Sequence, residues 1–396
     1  MGTSGFSPSR LGRLRRALSA HVARGALPGL VALVHRRGET HVEVVGTTAV
    51  GGTVPMRRDT VFRIASMTKP IVAAASMVLV EECRLRLDDP VDPFLPELAD
   101  RRVLRRVDGP LDDTVPARRP LTLRDLLTSR CGFGLVADPP DTPIQRAMDE
   151  AGLSPGPVPF PHSADEFLRR LGELPLACQP GEAWLYHTGF DVLGVLIERA
   201  AGQPLESFLR ERVLDPLGMR DTGFHLPAER TEPLPPCYLT DPRTGTPVEV
   251  ADAHDWHRPP VFASGSTGLL STADDCLAFL RMLLDGGRHG DERVLSRRSV
   301  ELMTTNQLTP EQRAGARVVL DDHAGWGFGL AVTLRRDLLE GSVGRFGWSG
   351  GWGTTGYADP EEGLAGVLLT QLGLDSPHSP RLFSDFWVSV YQAIED

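Results

Sequence analysis

The chain has 396 residues, 41% of them hydrophobic and 24% charged, the balance of a globular protein with room for two domains. Its formal charge of −10 argues against a nucleic-acid partner, because a phosphate backbone demands a basic face. With Gly at 41 and Pro at 33 positions, turns and long loops are expected in place of a helical bundle.

In chain order, Leu11, Leu14, Leu18 and Val22 recur at near-helical spacing on a basic amphipathic segment. Arginines interrupt it where a signal peptide needs a continuous apolar core, so a surface helix packed on its own domain is expected. "LVALVHRRGETHVEVVGTTAV" (30 to 50) reads as a hairpin with a Gly-containing turn. "TVFRIA" is β-like and "SMTKPIVAAASMVLVEE" helical. The apolar run 71 to 80 within it is too short to cross a bilayer.

The middle of the chain offers short helices such as "LTLRDLLTS", "DVLGVLIERAAG" and "TADDCLAFLRMLLDGG", several opened by Ser, Thr or Asp and closed by Gly. Between them run Pro-rich loops at 135–165 and 225–262, long enough to be read as walls of a site. "GTTGYADPEEGLAGVLLTQ" (353 to 371) is a second hairpin, and "SPRLFSDFWVSVYQAIED" a closing amphipathic helix. Both chain ends therefore supply strands and a helix. The expected fold class is α+β: an antiparallel sheet from both ends flanked by helices (1–90 and 325–396), plus a mainly helical middle domain (91–324). Five scattered cysteines without a CxxC pair read as reduced, mostly buried thiols of a cytoplasmic protein. No nucleic-acid, membrane, cofactor or metal partner is expected; oligomeric state stays open.

Position 69 carries the one lysine among 42 Lys plus Arg. It stands three residues after Ser66, a spacing that puts both side chains on one helix face. Pro70 suits only a first helical turn, so the helix starts near 66 with free N–H groups available to an oxyanion. A guanidinium never gives up its proton, whereas an amine does once burial and nearby positive charge lower its pKa. Moving it from about 10.4 to about 7 takes roughly 4–5 kcal/mol. Ser66 and Lys69 thus read as a catalytic pair, a nucleophile and an amine able to take its proton.

"TVFRIASMTKPIVAAASMVLVEECRLRLDDPVDPFLPEL" resembles the nucleophile region of the class C β-lactamase and penicillin-binding-protein superfamily, whose signature is S-x-x-K. "LTLRDLLTSRCGFG", "SGSTGLLSTADDCLAFLRMLLDGG" and "GWGFGL" resemble the same superfamily in the same order, over roughly residues 10 to 394. The resemblance implies the DD-peptidase/β-lactamase fold and an acyl-enzyme on Ser66. Tyr186, in "WLYHTGFDVLG", stands where that family has Y-x-N and would relay protons with Lys69, which of the two is the base staying open; Thr188 replaces the Asn. Of His187 between them, contact with substrate or with solvent is possible, and solvent is the expectation for a lone histidine. Trp348-Ser349-Gly350 stand in the place of K-T-G, so an indole replaces the cation that holds a β-lactam carboxylate; Arg345 is three residues earlier, an odd offset that points it elsewhere. Gly351 would give the second oxyanion N–H beside that of Ser66. The missing cation, the absence of an export signal and the altered Tyr-His-Thr triplet favour a carboxylesterase or acyltransferase, with a small-molecule ester or amide as the expected partner. The alternatives are a β-lactamase or D-amino-acid peptidase, and a non-catalytic binding protein of the same fold.

A rival serine exists. "GWSGG" (347 to 351) fits the G-x-S-x-G elbow of α/β-hydrolases, with Asp359 and His378 following in order. Against it, only 47 residues follow Ser349, and parallel βα units are not apparent upstream. "HDWH" (254 to 257) spaces two histidines but brings no third ligand for a metal.

Overall fold

The computed structural model describes residues 5–136, 139–156, 158–252, 254–374 and 380–396. Its centre is a seven-stranded antiparallel sheet. The N-terminal end gives β1 (Gly29–Arg36) and β2 (Glu39–Gly46); the C-terminal part gives β3 (Ala324–Trp326), β4 (Ala331–Thr333), β5 (Phe346–Gly350), β6 (Thr354–Asp359) and β7 (Leu364–Leu369). The spatial order is β3-β4-β5-β6-β7-β1-β2. The chain ends meet where β7 pairs with β1, Val31 opposite Leu369 and Arg36 opposite Leu364. Both hairpins form where the turn residues of the sequence put them.

Side chains alternate across β1, which is buried along its whole length. Val31 and Leu33 join the large core, while Leu30, Ala32 and Val34 join a second core on the opposite face. That second core is closed by α1 (Pro8–Ala23) and by the last helix of the chain, which crosses it with Phe383, Phe386, Trp387 and Val390. Leu14 and Leu18 of α1 are fully buried there, as the near-helical leucine spacing predicts.

The large core faces the other side. It is filled by α2 (Thr68–Glu81), buried from Thr68 to Leu79, as a helix apolar on every side must be. Next to it run α3 (Thr188–Ala201) and α4 (Ala273–Leu284). α4 comes from the middle of the chain yet packs on β1, β6 and β7. Apolar contact continues from the sheet through α2 and α4 to the helices of the middle segment. Those helices start as their sequences direct: Thr122, Ser163, Thr272 and Ser296 each accept the amide three residues on. α3 stops at Gly202, whose φ of +71° is the left-handed cap a glycine allows. Among the described residues no helix is long and apolar enough to cross a membrane.

Candidate active site

Ser66 sits in a 3₁₀ turn (Ala65–Met67) between the short strand Phe62–Arg63 and α2. That strand pairs antiparallel with Leu270–Ser271, which brings the 264–269 loop alongside. Three bonds clamp the turn. Ile64 N donates to Leu269 O (3.1 Å), Thr354 Oγ1 donates to Ile64 O (3.1 Å), and Leu269 N donates to Thr68 Oγ1 (3.1 Å). Ala65 is held at a φ of +45°, a conformation that costs a non-glycine residue energy and needs such surroundings. β5 crosses so closely that a Cβ on Gly350 would lie 2.2 Å from Ile64 O. Gly350 is therefore the glycine that lets sheet and turn touch.

Lys69 follows one helical turn later and is completely buried. Its Nζ donates to Ser66 Oγ (3.0 Å) and to Ser266 O (2.9 Å), and lies 4.5 Å from the centre of the Tyr186 ring. Burial pushes its pKa down to about 7. The positive neighbour anticipated as a second cause is not the one at work. The charged group that acts on the amine is the Asp191 carboxylate, which pulls in the opposite sense, so desolvation alone does the lowering.

Asp191 belongs to α3 and is fully buried. It accepts from Ser264 Oγ (2.6 Å), from Ser266 Oγ (2.8 Å to one oxygen, 2.9 Å to the other) and from Ser266 N (3.3 Å). Burial raises its pKa; those donors and Lys69 draw it back. Solvent is not where His187 goes. The imidazole is buried, its Nε2 2.9 Å from Ser266 Oγ, and its backbone takes a φ of +91°. The bond to Ser266 and the turn into α3 draw the ring inward, where burial, reinforced by Lys69, holds its pKa well below the ordinary histidine value.

Tyr186 packs in an aromatic cluster, stacked on Trp184 (5.3 Å) and edge-on to Trp326 and Trp348 (6.0 and 5.7 Å). Trp348 Nε1 donates to Tyr186 Oη at 2.6 Å. The indole N–H thus serves the phenol. Burial raises the phenol pKa, and hydrogen bonding to Ser66 and Trp348 opposes that rise. β5 is not an edge strand along its whole length: it pairs with β4 at Phe346 and Gly347 and with β6 throughout. The β4 ladder ends at Gly347, and beyond it Trp348 and Ser349 border the cleft, while Gly350 is buried against the turn at Ile64 and lines neither cavity.

Two cavities open at Ser66. The first, about 400 Å³, is walled by apolar residues of the Pro-rich loops, among them Pro155, Val158, Phe160, Pro260 and Phe262, with His187 and Trp352. The second, about 1160 Å³, runs past Tyr186, Trp348 and Ser349 to Arg345 and Trp387. Gly351 borders both, and a Cβ placed on it would meet nothing within 4 Å. Thr188 is buried in the first turn of α3 and lines neither cavity. Arg345 also lines the second cavity, its guanidinium 4.2 Å from the ring centres of both Tyr357 and Trp387.

The rival elbow lacks its architecture. Ser349 lies in an antiparallel strand that turns into β6 and not into a helix, and its Oγ donates to Thr355 Oγ1 (3.0 Å). The Asp359 carboxylate is occupied by Tyr391 Oη (2.7 Å) and Ser342 N (2.9 Å). His378 lies outside the described residues.

This assembly of Ser66, Lys69 and Tyr186 coincides with a family match: the Beta-lactamase family model aligns with residues 14–381. The chain belongs to the Beta-lactamase family. It is a serine hydrolase of that family, with the fold of penicillin-binding proteins and β-lactamases. It is 39% identical over 371 residues to Protein Rv1367c of Mycobacterium tuberculosis, covering 91% of this chain and 88% of the relative. It is 32% identical over 377 residues to Esterase EstB of Burkholderia gladioli, covering 89% and 88%. Among solved structures, EstCE1, described as a hydrolase with promiscuous acyltransferase activity, superposes with a TM-score of 0.79 at 25% identity, covering 97% of this chain and 98% of that one.

Asp191, Ser264 and Ser266 are the site residues that sequence reasoning missed. Asp191 comes five residues after Tyr186 and the two serines share one loop 73 and 75 residues beyond it, so their hydrogen bonds exist only once the fold has closed that gap.

Proposed function

We propose that the chain is a carboxylesterase or acyltransferase that forms an acyl-enzyme on Ser66. The observation that carries this is the buried Lys69 amine, 3.0 Å from Ser66 Oγ and with a pKa pushed down to about 7. An amine that is neutral for part of its time beside an alcohol is a general base. Lys69 takes the Ser66 proton as Oγ attacks the ester carbonyl, and the N–H groups of Ser66 and Gly351 hold the oxyanion. Tyr186, whose raised pKa keeps it protonated, hands its proton to the departing alkoxide and recovers one from Lys69. Water or a second alcohol then attacks the acyl carbonyl, the same groups moving protons in reverse, and Ser66 is freed.

The apolar first cavity suits the acyl group, and the larger second one the alcohol. The esterase and acyltransferase descriptions of EstB and EstCE1 support the same reaction class. Trp348 argues against a β-lactamase or D-amino-acid peptidase reading, since its one N–H is spent on Tyr186 and offers a substrate carboxylate no charge. The test is turnover of p-nitrophenyl butyrate with intact-mass detection of the acyl adduct. Wild type should show both, and Ser66→Ala neither. Full turnover by Ser66→Ala, or none by wild type across several esters, overturns the reading.

A further inference from the structure

The carboxylate of Asp191 is the least expected group near Ser66. It is fully buried on α3 and accepts from Ser264 and Ser266. Ser266 faces two ways: its N–H and hydroxyl are on Asp191, while its carbonyl receives Lys69 Nζ at 2.9 Å. An independent feature fixes the same contact. A Cβ on Gly265 would lie 2.3 Å from Phe190 O and 3.3 Å from the Cα of Gly194. The loop is therefore pressed onto α3 where only a glycine fits.

We propose that Asp191 is a positioning residue for acylation: through Ser264 and Ser266 it anchors the carbonyl that aims the Lys69 amine at Ser66, and it compensates the charge that appears there. This rests on Lys69 being the base. When the proton leaves Ser66 Oγ for Nζ, an ammonium forms on a fully buried nitrogen, and the Asp191 carboxylate is the opposite charge that acts on it. The remaining titratable groups around α2 do not supply that charge. Tyr186 and His187 precede α3, the first kept protonated and the second neutral by burial. Arg212, in the turn Arg210–Leu214, is engaged by Glu82 beyond the far end of α2, and Glu206 by His225.

Asp191→Asn preserves shape and removes the charge. Single-turnover acylation by p-nitrophenyl butyrate should slow by about 10- to 100-fold with KM little changed. A carboxylate favours the ammonium, so its loss lowers the amine pKa and the acid limb of the rate profile should move down by about 1 to 3 pH units. Ser266→Ala keeps the carbonyl and the carboxylate; it should slow acylation about 3- to 10-fold and leave the acid limb in place. An Asp191→Asn enzyme with unchanged rate and profile, or one that loses only thermal stability, overturns the proposal. Should that variant fail to fold, Ser264→Ala/Ser266→Ala carries the test: a Tm near wild type with acylation at least about tenfold slower supports it, and wild-type acylation refutes it. Turnover surviving Ser66→Ala would instead remove the acyl-enzyme reading on which all of this rests.

Discussion

Arginine fills every basic position of this chain except the one buried against Ser66. Lys69→Arg keeps the charge but places a group there that stays protonated. Acylation should fall by about 10²–10⁴-fold or more, measured as the burst of p-nitrophenolate. The pH profile follows from the same nitrogen. The working amine is neutral, so kcat/KM should rise with pH and level off above about 7. Stability carries the matching sign. The folded-state pKa is depressed below about 10.4, so the unfolded chain binds the extra proton between pH 7 and that value, and wild-type stability rises with pH across the window. Lys69→Met should therefore have its largest Tm advantage at pH 6 and a smaller one at pH 9. Trp348→Phe tests the phenol. Loss of the indole donor removes a bond that favours phenolate, so kcat should drop about 3- to 10-fold while KM holds. How legible these residues are differs by pair. Ser66 and Lys69 are three apart and announce themselves; Trp348 and Tyr186 are 162 residues apart, and their bond exists only once the fold has brought β5 beside the turn before α3.

Strands and helices were legible wherever their signals are local. The turn residues and the β-rich runs on either side of them forecast both hairpins, and the Ser and Thr caps forecast the middle helices. Less legible was the junction at Ser66, read as a strand passing directly into a helix. The 3₁₀ turn and the positive φ of Ala65 depend on clamps from Leu269 and Thr354, about 200 and 290 residues away in sequence. His187 misled for a similar reason: its polarity suggests exposure, but Ser266 waits for it inside. Gly350 shows what the junction demands. Gly350→Ala places a methyl 2.2 Å from Ile64 O, and overpacking of that kind costs about 1–3 kcal/mol. Thermal melting should register the loss, and kcat should fall as well because the displaced backbone carries Ser66. A variant with unchanged Tm and kcat would mean that the sheet and the turn do not need this contact.

Across the whole molecule, the sheet supplies β5, the turn before α2 supplies Ser66, α2 supplies Lys69, and the long loops supply the walls. Phe160 and Phe262 meet edge-on at 5.3 Å and border the first cavity. Phe160→Ala should enlarge it and raise the ratio of kcat/KM for p-nitrophenyl octanoate over butyrate by about tenfold or more, the scale on which hydrophobic pockets discriminate. No change in that ratio would assign the acyl chain to the other cavity. The identity of the nucleophile stands above all of these. Wild-type protein treated with a fluorophosphonate probe and mapped by peptide mass spectrometry should carry the label on Ser66, with labelling lost in Ser66→Ala and kept in Ser349→Ala. A label on Ser349, persisting when Ser66 is replaced, would contradict the Ser66–Lys69 mechanism at its root.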